Sequence, residues 1–356
     1  TLTFRIPHPV EPTLEIRSLL AKFQTVIRLP FRDAVARDKA VRWMNQWSTS
    51  KCIPPLLLCQ HLAELSLGFE ETPIRWCTRQ RPKPFTDGDT VIEAVHDGKS
   101  HCSAFRSWAH SWHSEGAVKQ HSVAVTLPLT PRGEPEAFAE AIPLHVFFPT
   151  YERLSLYALV HASFELKTSR DHVRDSEYDQ SVLDELGAVV ERLIRRVPAQ
   201  VTLRAFVPHD STSDGVARRI QERIIHILTR VAFIPCIGGE TQTVKLARRY
   251  EPYLGAALDV SAAELAHESL VEPGLVADAP SRAALKELGG PELTGADYPR
   301  LLRFCRNGTY VECKVAFETL ARVVGQFAPK HQHTDDWKVF RDACRLVPCW
   351  WTSTAR

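Results

Sequence analysis

The sequence predicts an α/β (α+β) protein in which mixed sheets pack against helices and a mainly helical segment follows. Short alternating apolar runs, separated by turn residues, fill residues 70–130. Apolar residues recur at spacings of three and four over 182–197 and 216–231, which indicates two amphipathic helices. A strand-like run at 201–207 connects them, and strand–helix–strand alternation is typical of helices covering a sheet.

The N-terminal part of the chain is predicted to contain two strands and a helix. A short β-like run covers 3–6, and a longer strand covers 23–29, where apolar and polar side chains alternate. Asp33 is placed to cap the helix that follows, because its carboxylate can accept hydrogen bonds from first-turn N–H groups. Residues 53–62 are predicted to be helical and to lead into a strand at 65–69.

A meander and two further β segments are predicted in the middle of the chain. Turn signals such as Asp87-Gly88 separate the strands of the meander. These strands are Ile74–Thr78, Thr90–His96, His101–Trp108 and Val123–Leu127. The run 144–148 alternates as a strand that Pro149 should end, because proline cannot donate to a ladder. A second apolar run at 159–166 leads to the polar stretch 167–171.

The second half of the chain is predicted to continue with one strand, one hairpin and several helices. Val201, Leu203, Ala205 and Val207 alternate with less apolar positions, which favours a strand. A hairpin is predicted around Gly238-Gly239. After residue 251 the predicted helices are Ala262–Leu265, Ala283–Leu288, Tyr298–Phe304 and Val315–Val324.

Composition restricts the class of protein. A chain of 356 residues with a net charge of +2 is not typical of proteins that bind nucleic acid through bulk charge. No apolar run approaches the ~18 residues that span a membrane. The nine scattered cysteines contain no CxxC pair, which favours reduced thiols and a cytoplasmic location. Because the chain starts at Thr1 and ends just after a strand-like run, we expect it to be part of a longer protein.

Several common chemistries find no support in the motifs. Gly98-Lys99-Ser100 lacks the earlier glycine of a phosphate-binding loop, since Glu93 stands there, and neither GxSxG nor GxGxxG occurs. Five histidines and Cys102 lie within residues 96–121, which raises zinc binding as an alternative. Only His110 and His113 have near-suitable spacing, and they fall in alternating strand-like sequence, so no metal site is expected.

Two stretches resemble the GHKL ATPases, the group of the heat-shock protein 90 chaperones, gyrase B, MutL and sensor histidine kinases. Phe23-Gln24-Thr25-Val26-Ile27-Arg28-Leu29-Pro30 looks like the last strand of their ATP-binding domain. The second signature is similar to that of sacsin and the bacterial sacsin-like proteins. It comprises Phe147-Phe148-Pro149-Thr150, His161-Ala162-Ser163-Phe164 and Thr168-Ser169-Arg170. The resemblance covers residues 1–250.

The resemblance implies a domain organisation. Residues 1–50 would be the C-terminal end of an ATPase domain, residues 51–250 a transducer or middle domain, and residues 251–356 a helical segment. The motifs that hold adenine and Mg²⁺ lie upstream of the last strand in this group, and none occurs here. The resemblance therefore implies a missing N-terminal domain that supplies the ligands for ATP and Mg²⁺, and a chain that does not hydrolyse ATP alone.

The resemblance also implies the site residues. Thr25 matches a threonine of the adenine pocket, where a hydroxyl can both donate and accept, although Gln24 replaces the family's glycine. Ser169 and Arg170 match the pair whose arginine reaches the γ-phosphate of ATP as a planar fork. Arg174, one helical turn later, would assist. An arginine paired with a neighbouring aspartate is the alternative for Arg170.

The function implied is an ATP-dependent conformational switch in a chaperone-like or defence-related ATPase. This chain would be the transducer region that senses the γ-phosphate, with a homodimer and an unidentified client protein as expected partners. The alternative is a non-catalytic scaffold for protein interactions, for which Trp350-Trp351 would provide a contact.

Overall fold

The structure is a computed structural model in which two compact units divide the chain, one of residues 1–53 with 67–74 and one of residues 54–66 with 75–356. It describes a defined set of residues. They are 33–38, 55–59, 62–67, 74–96, 99–113, 120–168, 172–174, 179–208, 215–252, 269–293, 297, 314, 318, 321–326, 328–329 and 333–344.

In the first unit, the predicted helix cap is confirmed. Residues 34–38 are helical, and the backbone N–H of Ala36 donates to Asp33 Oδ1 at 2.8 Å. The carboxylate thereby satisfies one of the N–H groups that have no partner in the first turn of a helix. The predicted strands at 3–6 and 23–29 lie outside the described residues.

An eight-stranded mixed sheet forms the centre of the described structure, in the order β1-β2-β3-β4-β5-β8-β6-β7. Its strands are β1 Glu64–Leu67, β2 Ile74–Gln80, β3 Gly88–His96, β4 Lys99–His113, β5 Gln120–Pro128, β6 Ile142–Val146, β7 Phe148–Leu156 and β8 Leu159–Ala162. The meander β2 to β5 is antiparallel, as the alternation and the turn signals predict. β6 joins β8 in parallel, where His145 lies beside His161.

The prediction that Pro149 ends a strand is wrong. The chain reverses at Phe147, and Pro149 is the second residue of β7, where it lies opposite His145. A proline is tolerated there because β7 is the edge strand of the sheet among the described residues, so its missing N–H interrupts no ladder that they form on the outer side.

Two long helices cover one face of the sheet, as the 3.6-residue periodicity predicts. They are α1 Asp179–Ile194 and α3 Gly215–Arg230. Their buried apolar residues share one cluster with the inward side chains of β4, β5, β6 and β8. Leu186 and Ile220, both at most 1 % exposed, are typical members. Each such side chain contributes about 1.5–3 kcal/mol by leaving water. The predicted α/β class with mixed sheets and packed helices is therefore confirmed.

The predicted strand at 201–207 is wrong, because these residues lie in and just after a helix, α2 Ala199–Phe206. Ala199, Leu203 and Phe206 are buried at helical spacing, whereas Val201 is only half-buried. Over eight residues the same apolar positions satisfy a period of two and a period of 3.6. Packing against a helix later in the chain favours the helical period of 3.6 residues.

That later helix is α5 Ala279–Glu287, which follows α4 Pro273–Ala277 and precedes α6 Asp335–Cys344. Asp278 caps α5 by accepting a bond from the Ser281 N–H at 3.0 Å, and it also binds the Arg204 side chain of α2. Burial alone would raise the pKa of Asp278. The bonds from Arg204 and Ser281 outweigh it and hold that pKa well below its usual range.

The remaining predictions for the second half have mixed outcomes. The hairpin around Gly238-Gly239 is confirmed by β9 Ile234–Pro235 and β10 Thr241–Gln242. α5 confirms the helix at 283–288, and residues 321–324 of the predicted helix 315–324 are helical. The helices at 262–265 and 298–304 lie outside the described residues. Leu275 and Phe340 belong to the same core cluster as the sheet. The domain boundaries at 50 and 250 stay predictions.

No helix in the described part of the chain is long and apolar enough to cross a membrane.

Candidate functional site

Only one of the four predicted nucleotide-contacting residues is described. Arg174 is exposed, and its backbone N–H donates to the Glu165 carbonyl at 2.7 Å. Thr25, Ser169 and Arg170 lie outside the described residues, so their roles stay predictions. The structure describes the chain up to Thr168 and again from His172 to Arg174.

Residues 165–167 and 172–174 form the stem of a short antiparallel hairpin. Leu166 lies opposite Val173, the Lys167 N–H donates to the His172 carbonyl at 2.8 Å, and the Arg174 N–H donates back to the Glu165 carbonyl. Residues 169–171, between the two halves of the stem, lie outside the described residues. The two segments that flank the predicted phosphate contact are paired with each other by backbone hydrogen bonds.

The two faces of the stem differ in polarity. Val173 is buried at 7 % exposure, and Leu166 packs against the same core cluster. Side chains alternate along a strand, so the neighbours on each side of this pair point the other way. Lys167, His172 and Arg174 on that outward side are all exposed. The outer face of the stem is thus rich in groups that can carry positive charge.

Glu152 of β7 holds the stem against the sheet. Its Oε1 accepts from the Val173 backbone N–H and from His172 Nδ1, both at 3.2 Å. The second bond fixes the tautomer, because a carboxylate only accepts and His172 Nδ1 must therefore carry the proton. The Tyr151 ring lies 5.5 Å from the His172 ring, which adds an aromatic contact at the same place.

The turn between β6 and β7 adopts a conformation that side chains disfavour. Phe147 has a φ of 63°, in the left-handed region where a bulky residue is strained. Its backbone N–H donates to Nδ1 of the buried His161 at 3.2 Å, and its ring lies 4.8 Å from that imidazole. Phe85 stacks on the same imidazole at 6.0 Å. His161 therefore supports the turn from inside the sheet.

Ser122 and His161 form a pair that suggests a nucleophile and its base, but the hydrogen bonds exclude that role. Ser122 Oγ lies 3.1 Å from His161 Nε2. Because His161 Nδ1 accepts the Phe147 N–H, the proton of the neutral ring is on Nε2, which donates to Ser122. A general base must instead accept the serine proton. His161 is also fully buried, so no substrate reaches it.

Burial keeps both sheet histidines neutral. Burial, together with a smaller effect of the nearby His145, lowers the pKa of His161 to about 3, and burial lowers the pKa of His145 to about 4. An unfolded histidine titrates near ~6.5. Between the folded and unfolded pKa values, the unfolded chain binds more protons than the folded chain. The stability that depends on the two neutral histidines is therefore fully present above pH ~6.5. It decreases as the pH falls toward about 4 for His145 and about 3 for His161.

We expect acidification from pH 7 to pH 5 to lower the urea midpoint of unfolding. Each histidine should lower the free energy of unfolding by at most ~1.4 kcal/mol per pH unit. His161→Gln should be less stable at pH 7 but lose less between the two pH values. His101→Gln replaces an exposed histidine of β4 and should keep the native pH slope. Equal slopes for all three proteins would contradict the assignment.

The histidine-rich segment forms aromatic stacks. Trp112 stacks on His110 at 5.8 Å and on His121 at 5.4 Å, and His110 Nε2 lies 3.7 Å from Glu185 Oε2 of α1. Within the described ranges, no three His, Cys, Asp or Glu side chains are grouped closely enough to hold a metal ion. Two of the five histidines of this segment, His110 and His121, thus pack on one indole.

None of the family models, curated proteins or solved structures compared with the chain matches it. The resemblance to GHKL ATPases stays a prediction that rests on the quoted motifs.

Sequence reasoning missed Glu152 and the role of His161. Glu152 lies in an ordinary alternating run and contacts residues twenty positions later, so nothing local marks it. His161 belongs to the quoted motif, but its partners Ser122 and Phe147 come from two other places in the chain. Only the strand order brings these groups together.

Proposed function

We propose that the chain is the transducer region of a GHKL-type ATPase and senses the γ-phosphate of ATP through the tip of the 165–174 hairpin. The observation that supports this most is the stem itself. Paired backbone bonds and the Glu152 carboxylate hold the segments on either side of Arg170 beside β7. An arginine between two anchored segments suits the recognition of an anion on another domain.

Basic groups near Arg170 in the sequence fit a phosphate. Lys167 and Arg174 are exposed. Guanidinium and ammonium groups bind phosphate oxygens. ATP would supply the transferable phosphoryl group. The upstream domain would hold the adenine and the metal, with Thr25 at the boundary, and Ser169 would orient the tip.

The proposed consequence is a switch. Contact between Arg170 and the γ-phosphate would exist with ATP and be lost with ADP, so the nucleotide would bias how this region meets its nucleotide-binding partner domain. A homodimer and a protein client belong to the proposal as expected partners of a chaperone-like or defence ATPase. Fold analogy does not choose between these two roles.

The first test uses the intact protein encoded by the gene. We expect a non-hydrolysable ATP analogue, but not ADP, to slow amide hydrogen exchange in residues 165–174 by about 10-fold or more, because only the analogue offers a γ-phosphate. Exchange in β4 and β5, which are paired on both sides, serves as the internal control and should not change. Equal protection by both nucleotides would contradict γ-phosphate sensing.

A second candidate is the non-catalytic interaction scaffold. The observation that favours it is the exposure of Phe147, Phe148 and Tyr151 at 41 %, 55 % and 70 % around the β6–β7 turn. Exposed aromatic groups that lie together are typical of protein contacts. The Trp350-Trp351 pair lies outside the described residues. An upstream coding sequence without the motifs that hold adenine and Mg²⁺ in the GHKL group would favour the scaffold.

A further inference from the structure

An exposed aromatic side chain of β7 lies against the basic side of the hairpin stem. Tyr151 is 70 % exposed, and its ring lies 5.5 Å from the ring of His172, which is also exposed. Glu152, the next residue of β7, accepts a bond from the Val173 N–H. Strand and stem are therefore joined at two adjacent positions, and their exposed side chains form one continuous surface.

A second aromatic ring lies on the same strand. Phe148 begins β7 and is 55 % exposed. Tyr151 follows three residues later, and three residues of extended strand span about 10 Å. This separation lies well within the length of a short bound peptide. Large aromatic side chains that stay exposed near one another are typical of surfaces that bind another protein.

The exposed charge beside these rings is mainly positive. Lys167 and Arg174 are exposed on the same outward side of the stem as His172. The neighbouring carboxylates are less accessible, since the Glu152 side chain is only 15 % exposed and Glu165 is half-buried. Complementary charge guides the choice of partner at an interface. The charge therefore favours an acidic partner.

We infer that Phe148, Tyr151, Lys167, His172 and Arg174 form a docking surface for an acidic segment of a partner protein that carries a large apolar side chain. The apolar side chain packs on the exposed rings, and the partner's carboxylates pair with the lysine and the arginine. The inference rests on the interaction role given as the second candidate function, and it does not depend on Arg170.

A single-stranded nucleic acid is the competing ligand, because bases also stack on aromatic rings beside basic groups. The net charge of the chain is only +2, and two carboxylates lie next to the basic side chains. Both features weaken the attraction of a polyanion. A peptide, whose carboxylates are fewer and spaced by other residues, fits this surface better.

The test selects ligands for the 356-residue chain from a random peptide library displayed on phage. We expect the selected peptides to be enriched in aspartate and glutamate together with tryptophan, phenylalanine or leucine. Tyr151→Ser should weaken binding of a selected, fluorescein-labelled peptide by about 10-fold or more, because a ring that the peptide covers is lost. Lys167→Glu should weaken binding by about 10-fold and reduce its dependence on salt.

The matched controls are two neighbouring exposed residues that follow β10. Leu246 is 60 % exposed and Lys245 is exposed beside it. Leu246→Ser removes an exposed apolar side chain and Lys245→Glu reverses a positive charge, and neither should change peptide binding. Circular dichroism verifies that each variant is folded.

The inference is overturned if no peptide is selected, if the selected peptides are not acidic, or if Tyr151→Ser and Lys167→Glu bind them normally. Tighter binding of an oligothymidine than of the peptide, lost in the same two variants, would assign the surface to nucleic acid and also overturn it. Peptide binding by an intact protein that hydrolyses ATP would support the surface and contradict only the non-catalytic part of the second candidate. Normal turnover in Arg170→Ala would overturn γ-phosphate sensing and leave this inference standing.

Discussion

Replacing Arg170 with alanine in the intact protein should lower ATP turnover by about 10²- to 10³-fold, because a guanidinium that reaches the γ-phosphate stabilises charge on the phosphoryl oxygens during transfer. Binding of ATP should change far less, since adenine and Mg²⁺ contacts lie on the upstream domain in the proposed arrangement. Single-turnover rates and equilibrium binding, measured on the same preparation, separate the two effects.

Two further variants sharpen this experiment. Arg170→Lys keeps the charge but cannot form a planar two-point contact, so turnover should recover only in part. Arg195→Ala removes an exposed arginine that pairs with Glu191 on α1, and it should leave turnover unchanged. Normal turnover in Arg170→Ala would exclude Arg170 from the mechanism and would favour the aspartate-paired alternative.

The second large effect concerns the helix that the sequence pattern predicts as a strand. We expect Phe206→Ala to lower the free energy of unfolding by about 3–5 kcal/mol, because its ring is fully buried in the core cluster and its loss leaves a cavity. The urea midpoint measures this change. A 356-residue protein has more than one compact unit, so hydrogen exchange in α2 and α5 provides a second, local readout.

The matched control is Val201→Ala in the same helix. Val201 is half-buried, so its replacement should cost about 1 kcal/mol. A strand would give the opposite order. Val201 would then face the core with Leu203, and Phe206 would lie on the other side. A larger cost at Val201 than at Phe206 would therefore contradict the helix.

The peptide experiment with Tyr151 and the pH experiment with His161 report on neighbouring parts of the structure. Glu152, which follows Tyr151, and His161 lie on β7 and β8, which flank β6 in the sheet. Glu152 contacts the backbone of Val173 and His161 contacts the β6–β7 turn at Phe147, and neither side chain is fully exposed. The Tyr151 variant tests what the surface binds, whereas the His161 variant tests how the turn beside it is held.

Local sequence patterns were sufficient to predict the elements in which a regular apolar spacing extends over many residues. The meander strands carry several alternating residues between turn signals, and α1 and α3 carry four turns of apolar periodicity. The Asp33 cap depends on one side chain and the N–H groups beside it, so it could be predicted from a few letters. In these cases the deciding contacts lie within the element or the next turn.

What the sequence by itself determined is therefore the α/β class, the meander, the two long helices and the β9–β10 hairpin. The tertiary structure alone decided three features: the α2 helix, the course of the chain through Pro149 and the anchoring of the 165–174 stem. In each of these three places, the local sequence favours neither of the possible conformations strongly. α5 selects the α2 helix, the end position of β7 tolerates its proline, and Glu152 satisfies an N–H twenty-one residues away. Such contacts become available only when the sheet has formed, because the strand order sets them.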